Sequence, residues 1–169
     1  MPPTAAPPKG NTNGTDFRVT ATVQELMDAE LDPAADFLWD SVASISRYDG
    51  IEERRPRNEA DWQEVRRHAL RLLEATNLLV IEGRRVSRTY MPASADGDLD
   101  SDAMQAKIDA NRPAFVGFAH GVHAAGMQLL DAIDARDADA LFDRGSQLDQ
   151  ACENCHLTFW FPKRPAPAL

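Results

Sequence analysis

Apolar residues recur at alternating steps of three and four along much of this chain, and this spacing is the strongest constraint on its fold. The clearest run lies between residues 62 and 79 and consists of Trp62, Val65, Ala69, Leu72, Thr76 and Leu79. Such spacing places the side chains on one stripe of an α-helix, which is buried when helices pack side by side. The pattern predicts a helix that begins after Asn58, as N-cap, and is terminated by Gly83.

A second helix is predicted upstream of this one. It begins with a capping box in which the side chains of Thr22 and Glu25 satisfy each other's backbone donors. It is interrupted at Pro33 and is expected to restart there, because proline is tolerated in a first helical turn. Apolar residues as far as Ile45 predict that it continues until Gly50. Alternation typical of a strand is confined to residues 17–23.

Two more helices are predicted in the second half of the chain. One covers residues 102–134 and kinks or restarts at Pro113, and the other covers residues 137–159. The loop at residues 83–101 is long for a compact domain, which indicates a functional or mobile segment. In the third helix Gly117, Gly121 and Gly126 lower helix stability. They indicate a close approach by a neighbouring helix or by a flat cofactor.

Four helices with mostly short connections predict an all-α fold, an antiparallel four-helix bundle over residues 17–161. Residues 1–16 are expected to be a flexible N-terminal tether, and residues 162–169 a proline-rich tail. The net charge of -9 argues against nucleic acid or anionic lipid as a partner. It suits a partner with a basic docking face, and it also simply keeps a protein soluble.

The two cysteines of the chain lie three residues apart in the sequence Cys152-Glu153-Asn154-Cys155-His156. This is the attachment pattern of a c-type haem, in which the two thiols add to the haem vinyl groups and the histidine binds the iron. On a helix, Cys152, Cys155 and His156 share one face. A redox-active cysteine pair is expected at a helix N-terminus, whereas this pair is near a C-terminus. A structural zinc site needs four ligands, and no second pair accompanies this one.

A haem motif near the end of the last helix of a four-helix bundle resembles the class II c-type cytochromes, the cytochrome c-prime and cytochrome c556 family. The resemblance extends from about Thr22 to Phe161, and its one specific motif is Cys152 to His156. The chain departs from the family at Trp160, where an arginine is common. The resemblance implies a four-helix bundle that encloses one covalently attached haem c.

The sixth iron ligand is the main open question, because it separates the two functional branches of the family. In the low-spin branch a methionine of the first helix binds the iron, and in the high-spin branch an apolar residue covers a vacant site that binds nitric oxide or carbon monoxide. Met27 is in the corresponding place, beside Leu26. The position within the family favours Met27 as a ligand, although a buried methionine is more often a core residue. Met91 in the loop is a weaker candidate.

Further residues are candidates for the surroundings of the haem. Four residues are expected to form part of its wall, although the same residues would also suit a core without haem; they are Phe115, Phe118, Val122 and Phe159. The basic residues of the long loop are weaker candidates for the haem propionates, and most of them are expected in a solvated turn; they are Arg84, Arg85 and Arg88. Among the remaining histidines, His120 and His123 lie next to the apolar stripe of the third helix but not on it. Bis-histidine ligation of the iron is therefore possible but not favoured.

The sequence thus predicts a cytochrome that transfers single electrons through iron bound by His156 and Met27, and not an enzyme. One alternative is a gas-binding protein with a vacant distal site, and another is a haem-free scaffold. The expected partner is a redox protein, and the resemblance leaves a homodimer open. It also implies a periplasmic protein whose export signal is absent from this sequence. Residues 1–16 could serve as a membrane tether.

Overall fold

The computed structural model describes residues 17–162, so that the predicted tether and most of the predicted tail lie outside the described part. The chain is mainly helical, in agreement with the predicted all-α class. Its elements are α1 (Val23–Leu26), a π-helical turn (Met27–Leu31), α2 (Asp32–Ser41), β1 (Ala43–Arg47), β2 (Gly50–Arg54), α3 (Glu59–Leu79), α4 (Ser101–Ala110), α5 (Arg112–Asp134) and α6 (Ala138–Phe159). None of the described helices is both long and apolar enough to cross a membrane.

The predicted caps at the helix N-termini are confirmed. The Thr22 N–H donates to Glu25 Oε2 at 2.8 Å, and the Glu25 N–H donates to Thr22 Oγ1 at 3.1 Å. The Asn58 side chain accepts the N–H of Asp61 and caps α3. The restart near Pro113 is also confirmed, since α4 ends at Ala110 and α5 begins at Arg112. Helix α3 ends at Leu79, a turn earlier than the Gly83 of the prediction.

The prediction that the first helix continues through Ile45 to Gly50 is wrong. Helix α2 ends at Ser41, and residues 43–54 form an antiparallel β-hairpin with Ala43 opposite Arg54. Ile45 and Glu52 face each other on its half-buried side, while the serines of β1 point outward. Serine and β-branched residues have lower helix propensity than alanine or leucine, and the alternation of sides suits a strand.

The core is formed where α2, α3, α5 and α6 pack together. Its largest fully buried side chains are Leu38, Leu72, Thr76, Leu129, Ile133, Leu141 and Leu148. The Trp39 indole N–H donates to the carbonyl of Gly145 at 3.1 Å and ties α2 to α6. Packing at this interface is tight, because a Cβ added at Gly145 would lie 3.3 Å from Trp39 Cδ1.

Of the three glycines of α5, only one marks a close approach. A Cβ at Gly126 would lie 3.0 Å from Leu73 Cδ2, so the absence of a side chain there lets α3 and α5 pack closely. The exposed Gly117 and Gly121 have nothing of the described chain within 4 Å of such a Cβ. The predicted close approach is therefore confirmed for a neighbouring helix at Gly126, and the other two positions show none.

The long loop after α3 is fastened to the start of α1. The N–H groups of Val23 and Gln24 donate to the carbonyls of Arg85 and Val86 at 2.8 and 3.1 Å. Arg88 forms a salt bridge to Glu25 at 2.8 Å, and this hydrogen bond is the main reason why the pKa of Glu25 falls to about 2. The loop thereby fixes the helix that carries Met27.

Arg84 is buried at 7% exposure, and it has a structural role at the end of α3. Its Nε donates to the Leu78 carbonyl at 2.7 Å, and its Nη1 donates to the carbonyl of Ala21. Burial lowers the pKa of this guanidinium. Arg84 and Arg88 are thus engaged within the fold, and Arg85 is an exposed loop residue.

Candidate functional site

The cysteine–histidine motif lies in the last two turns of α6, and its three reactive side chains border one cavity. Cys152, Cys155 and His156 are all half-buried. Cys152 packs against the main core, and Cys155 packs against a smaller cluster that includes Phe115 and Phe159. The helical spacing of three and four therefore does bring these side chains to one interior surface.

Two neighbouring cavities meet at this motif. The first has a volume of about 220 Å³ and is walled by α2, α3, α5 and α6. The second has a volume of about 350 Å³ and lies beneath the long loop and α4. Five residues line both cavities and form their common wall: Met27, Asp32, Phe115, Cys155 and His156. Together the cavities fall within the roughly 300–1,000 Å³ of typical cofactor sites.

Burial keeps the two thiols protonated, because it raises their pKa values. It raises the pKa of Cys152 to about 12 and that of Cys155 to about 11. Both thiols are therefore neutral near pH 7, and neither is in a disulfide. A thiol–disulfide exchange site needs a thiolate, so the environment argues against that chemistry. Buried neutral thiols facing an apolar cavity suit addition to an apolar group within it.

His156 has the properties of a metal ligand. Burial lowers the pKa of its imidazole, although nearby Asp32 opposes this shift. The ring is thus neutral near pH 7, with a lone pair available to a metal. Its edge-to-face neighbour is Trp160, with ring centroids 5.3 Å apart. Trp160 therefore packs directly beside the His156 ring.

Met27 borders the cavities from the first helix, a different element from the α6 helix that carries the motif. It is half-buried at the junction of α1 and the π-helical turn, and it lines both cavities. Leu26, the alternative, is 5% exposed and belongs to an apolar cluster with Leu31, Ala75 and Leu79. The structure therefore brings Met27 to the same interior space as His156.

Two further methionines, Met91 and Met104, line the second cavity. The Met91 sulfur accepts a hydrogen bond from the Ser87 hydroxyl at 3.2 Å, while its backbone N–H donates to the Ser101 hydroxyl at 2.9 Å. Met91 is thus held in the loop by polar contacts to its own surroundings.

The other histidines are placed outside the common wall. His123 Nδ1 is 2.9 Å from the Thr76 hydroxyl in the α3–α5 interface. His68 stacks on Phe37 with centroids 3.9 Å apart, and His120 is exposed. None of these three histidines lines either of the two cavities.

The predicted wall residues have different positions. Val122 lines the first cavity and Phe159 lines the second. Phe118 lies behind that wall, with its ring edge-to-face on Phe159 at 6.0 Å. Phe115 and Asp32 occupy the common wall, and Asp32 was missed because an aspartate before proline indicates only a helix break.

Among residues 17–162, no three or more His, Cys, Asp and Glu side chains cluster in a way that could hold a bare metal ion. A haem requires less from the protein, because the porphyrin supplies four of the iron ligands. Comparison with protein-family models, curated proteins and solved structures finds no match for this chain.

Proposed function

We propose that this protein is a c-type cytochrome in which Cys152 and Cys155 hold one haem covalently, and that it transfers single electrons. His156 and Met27 are the proposed axial ligands, and the helices α1–α2, α3, α5 and α6 form the proposed four-helix bundle. One observation carries the proposal: the cysteine–histidine motif and Met27 border the same interior space. A bound haem would supply the one-electron chemistry.

The residues around this space fit such a group in character. The cysteines and the imidazole lie on α6 at the spacing that thioether attachment requires. Buried apolar side chains complete the walls, among them Leu72, Phe115 and Val122. Apolar walls exclude water, and a thioether ligand favours the reduced iron. Both effects suit reversible electron transfer.

The rim of the cavities supports a basic redox partner. Five carboxylates line the two cavities: Asp28, Asp32, Asp36, Asp149 and Glu153. Within the part of the chain that the structure describes, none of them forms a salt bridge, whereas many other carboxylates pair with arginines. Unpaired negative charge at the cavity mouth would steer a cationic partner toward the haem.

Electron transfer with small reagents tests this steering. Reduction by cationic hexaammineruthenium(II) is expected to slow as salt is added, because salt screens the attraction. The double variant Asp36→Asn/Asp149→Asn should lower this rate several-fold at low salt, because two of the charges that attract the cationic reagent are lost. The matched control is Asp131→Asn/Asp143→Asn, which removes two exposed carboxylates outside the cavity linings. Equal slowing by both pairs would mean that net charge, and not the rim, controls the rate.

The proposed location of the protein follows from the proposed haem attachment. Covalent haem attachment in bacteria takes place outside the cytoplasm, so we place the protein in the periplasm. Residues 1–16 as a membrane tether and a homodimer are part of the same proposal, and they follow from the family resemblance alone.

An absorption spectrum of the oxidised and reduced protein tests the proposed function, with carbon monoxide then added to the reduced form. We expect a low-spin reduced spectrum that carbon monoxide leaves unchanged, and a weak near-red band from methionine-to-iron charge transfer in the oxidised form. A high-spin spectrum that shifts with carbon monoxide would replace electron transfer by gas binding. Protein matured with a working attachment pathway and still lacking a Soret band would disprove the haem itself.

A further inference from the structure

The first helix changes from α to π geometry at the residue that is proposed to bind the iron. In the turn Met27–Leu31 the N–H of Asp32 donates to the Met27 carbonyl, five residues earlier. Pro33 lies two residues after Leu31, the last residue of the turn. In a regular α-helix the N–H of residue 33 would bond to the Ala29 carbonyl, but proline has no N–H.

An arginine from α3 takes over the carbonyl that the proline leaves free. The Arg71 guanidinium donates to the carbonyl of Ala29. Its Nε donates to Glu30 Oε2 at 2.5 Å, so the same side chain contacts two consecutive residues of the turn. Arg71 therefore compensates for Pro33 and attaches the π-helical turn to α3.

The π-helical turn carries part of the cavity-facing side of the first helix. Within the turn, Leu31 lines the first cavity and Asp28 lines the second. Met27, the first residue of the turn, lines both cavities. A contact that holds the turn in place therefore also holds Met27 at the interior space.

We infer that Arg71 is a positioning residue for the sixth iron ligand, because it holds the π-helical turn that presents Met27 to the haem. This role rests on the proposed ligation of iron by Met27. It explains why a proline is tolerated inside the helix, and it gives a long-range contact between α3 and the first helix a part in the iron's coordination.

The test is Arg71→Met, which keeps the aliphatic stem and removes all donors. In the holoprotein we expect loss of the near-red band and binding of carbon monoxide to the reduced form. We also expect about tenfold or more faster hydrogen exchange at the Asp32 amide, because a charged hydrogen bond no longer supports the turn. Glu30→Gln removes the ion pair and leaves the Ala29 hydrogen bond, so its spectrum should stay near that of the original protein.

Arg67→Met is the matched control, since Arg67 is an exposed arginine one turn earlier on α3 that pairs with Glu64 of the same helix. It should change neither readout. Should Arg71→Met fail to fold, Arg71→Lys replaces it. The near-red band and the Asp32 exchange rate of this variant should lie between those of the unchanged protein and those expected for Arg71→Met.

Unchanged exchange at Asp32 in the Arg71 variant would overturn the role of Arg71, whatever ligand the iron has. If the original protein shows no methionine ligation, then the proposed function fails first and the assignment to ligand positioning fails with it. Faster exchange with an unchanged near-red band would show that Arg71 supports the turn but does not position the ligand.

Discussion

The double variant Cys152→Ala/Cys155→Ala is expected to contain no haem that survives denaturation. The two proposed thioether bonds would both be formed by these sulfurs, and the chain has no other cysteine to replace them. Each single variant should keep one thioether and thus retain haem in lower yield, with a shifted absorption band of the reduced form. Haem staining after denaturing electrophoresis and the intact mass of the protein measure both results.

Asn154→Ala is the matched control, because Asn154 lies between the two cysteines and its side chain is exposed. It should retain full covalent haem. His156→Ala tests a different step, since it leaves both thiols and removes the proposed proximal ligand. Covalent haem in the double cysteine variant, or its absence in Asn154→Ala, would contradict the assignment of these sulfurs.

The helices could be predicted from the sequence because their signals are local. The Thr22 and Glu25 side chains cap a helix within one turn, and the seam from Trp62 to Leu79 repeats over six positions. The hairpin at residues 43–54 has no comparable signal. Its Ile45 has the right distance from the preceding apolar residues to extend a helix, and only the pairing with Glu52 across the turn makes it part of a strand.

The candidate site likewise has one part that the sequence predicts and one part that it does not. Its α6 half is contiguous in sequence, so Cys152, Cys155 and His156 could be recognised without knowledge of the fold. The opposite half depends on packing between distant segments. Nothing near Met27 in the sequence shows that it begins a π-helical turn, because the turn is supported by Arg71, more than 40 residues away. The place of Asp32 in the common wall likewise requires the tertiary structure.

The expectation that most of the loop arginines lie in a solvated turn does not hold for Arg84, which is buried, and the reason is related. Arg84 and Arg88 belong to the long loop that borders the second cavity, but their guanidinium groups donate hydrogen bonds to backbone carbonyls and to Glu25. A buried guanidinium forms hydrogen bonds to whichever acceptors are nearest. For Arg84 these are the end of α3 and the segment before α1, and a one-dimensional pattern does not reveal either.

Met27→Leu should convert the iron from six-coordinate low-spin to five-coordinate high-spin. Leucine is close to methionine in volume and has no lone pair, so the change removes the ligand with little disturbance of packing. The near-red band should disappear, and carbon monoxide should bind to the reduced protein. Loss of a thioether ligand also destabilises reduced iron, so the reduction potential should fall by about 0.1 V or more. Spectra, carbon monoxide titration and potentiometry measure the three effects.

Met91→Leu and Met104→Leu are the matched controls, because both methionines line the second cavity with Met27. The Met91 sulfur is a hydrogen-bond acceptor for Ser87, and Met104 packs beside Val86, Ile108, Phe115 and Phe159. Both variants should keep the near-red band and exclude carbon monoxide. If Met27→Leu retains the band and Met91→Leu loses it, the sixth ligand comes from the loop, and the fastening of the loop to α1 through Arg88 and Glu25 becomes the contact that positions it.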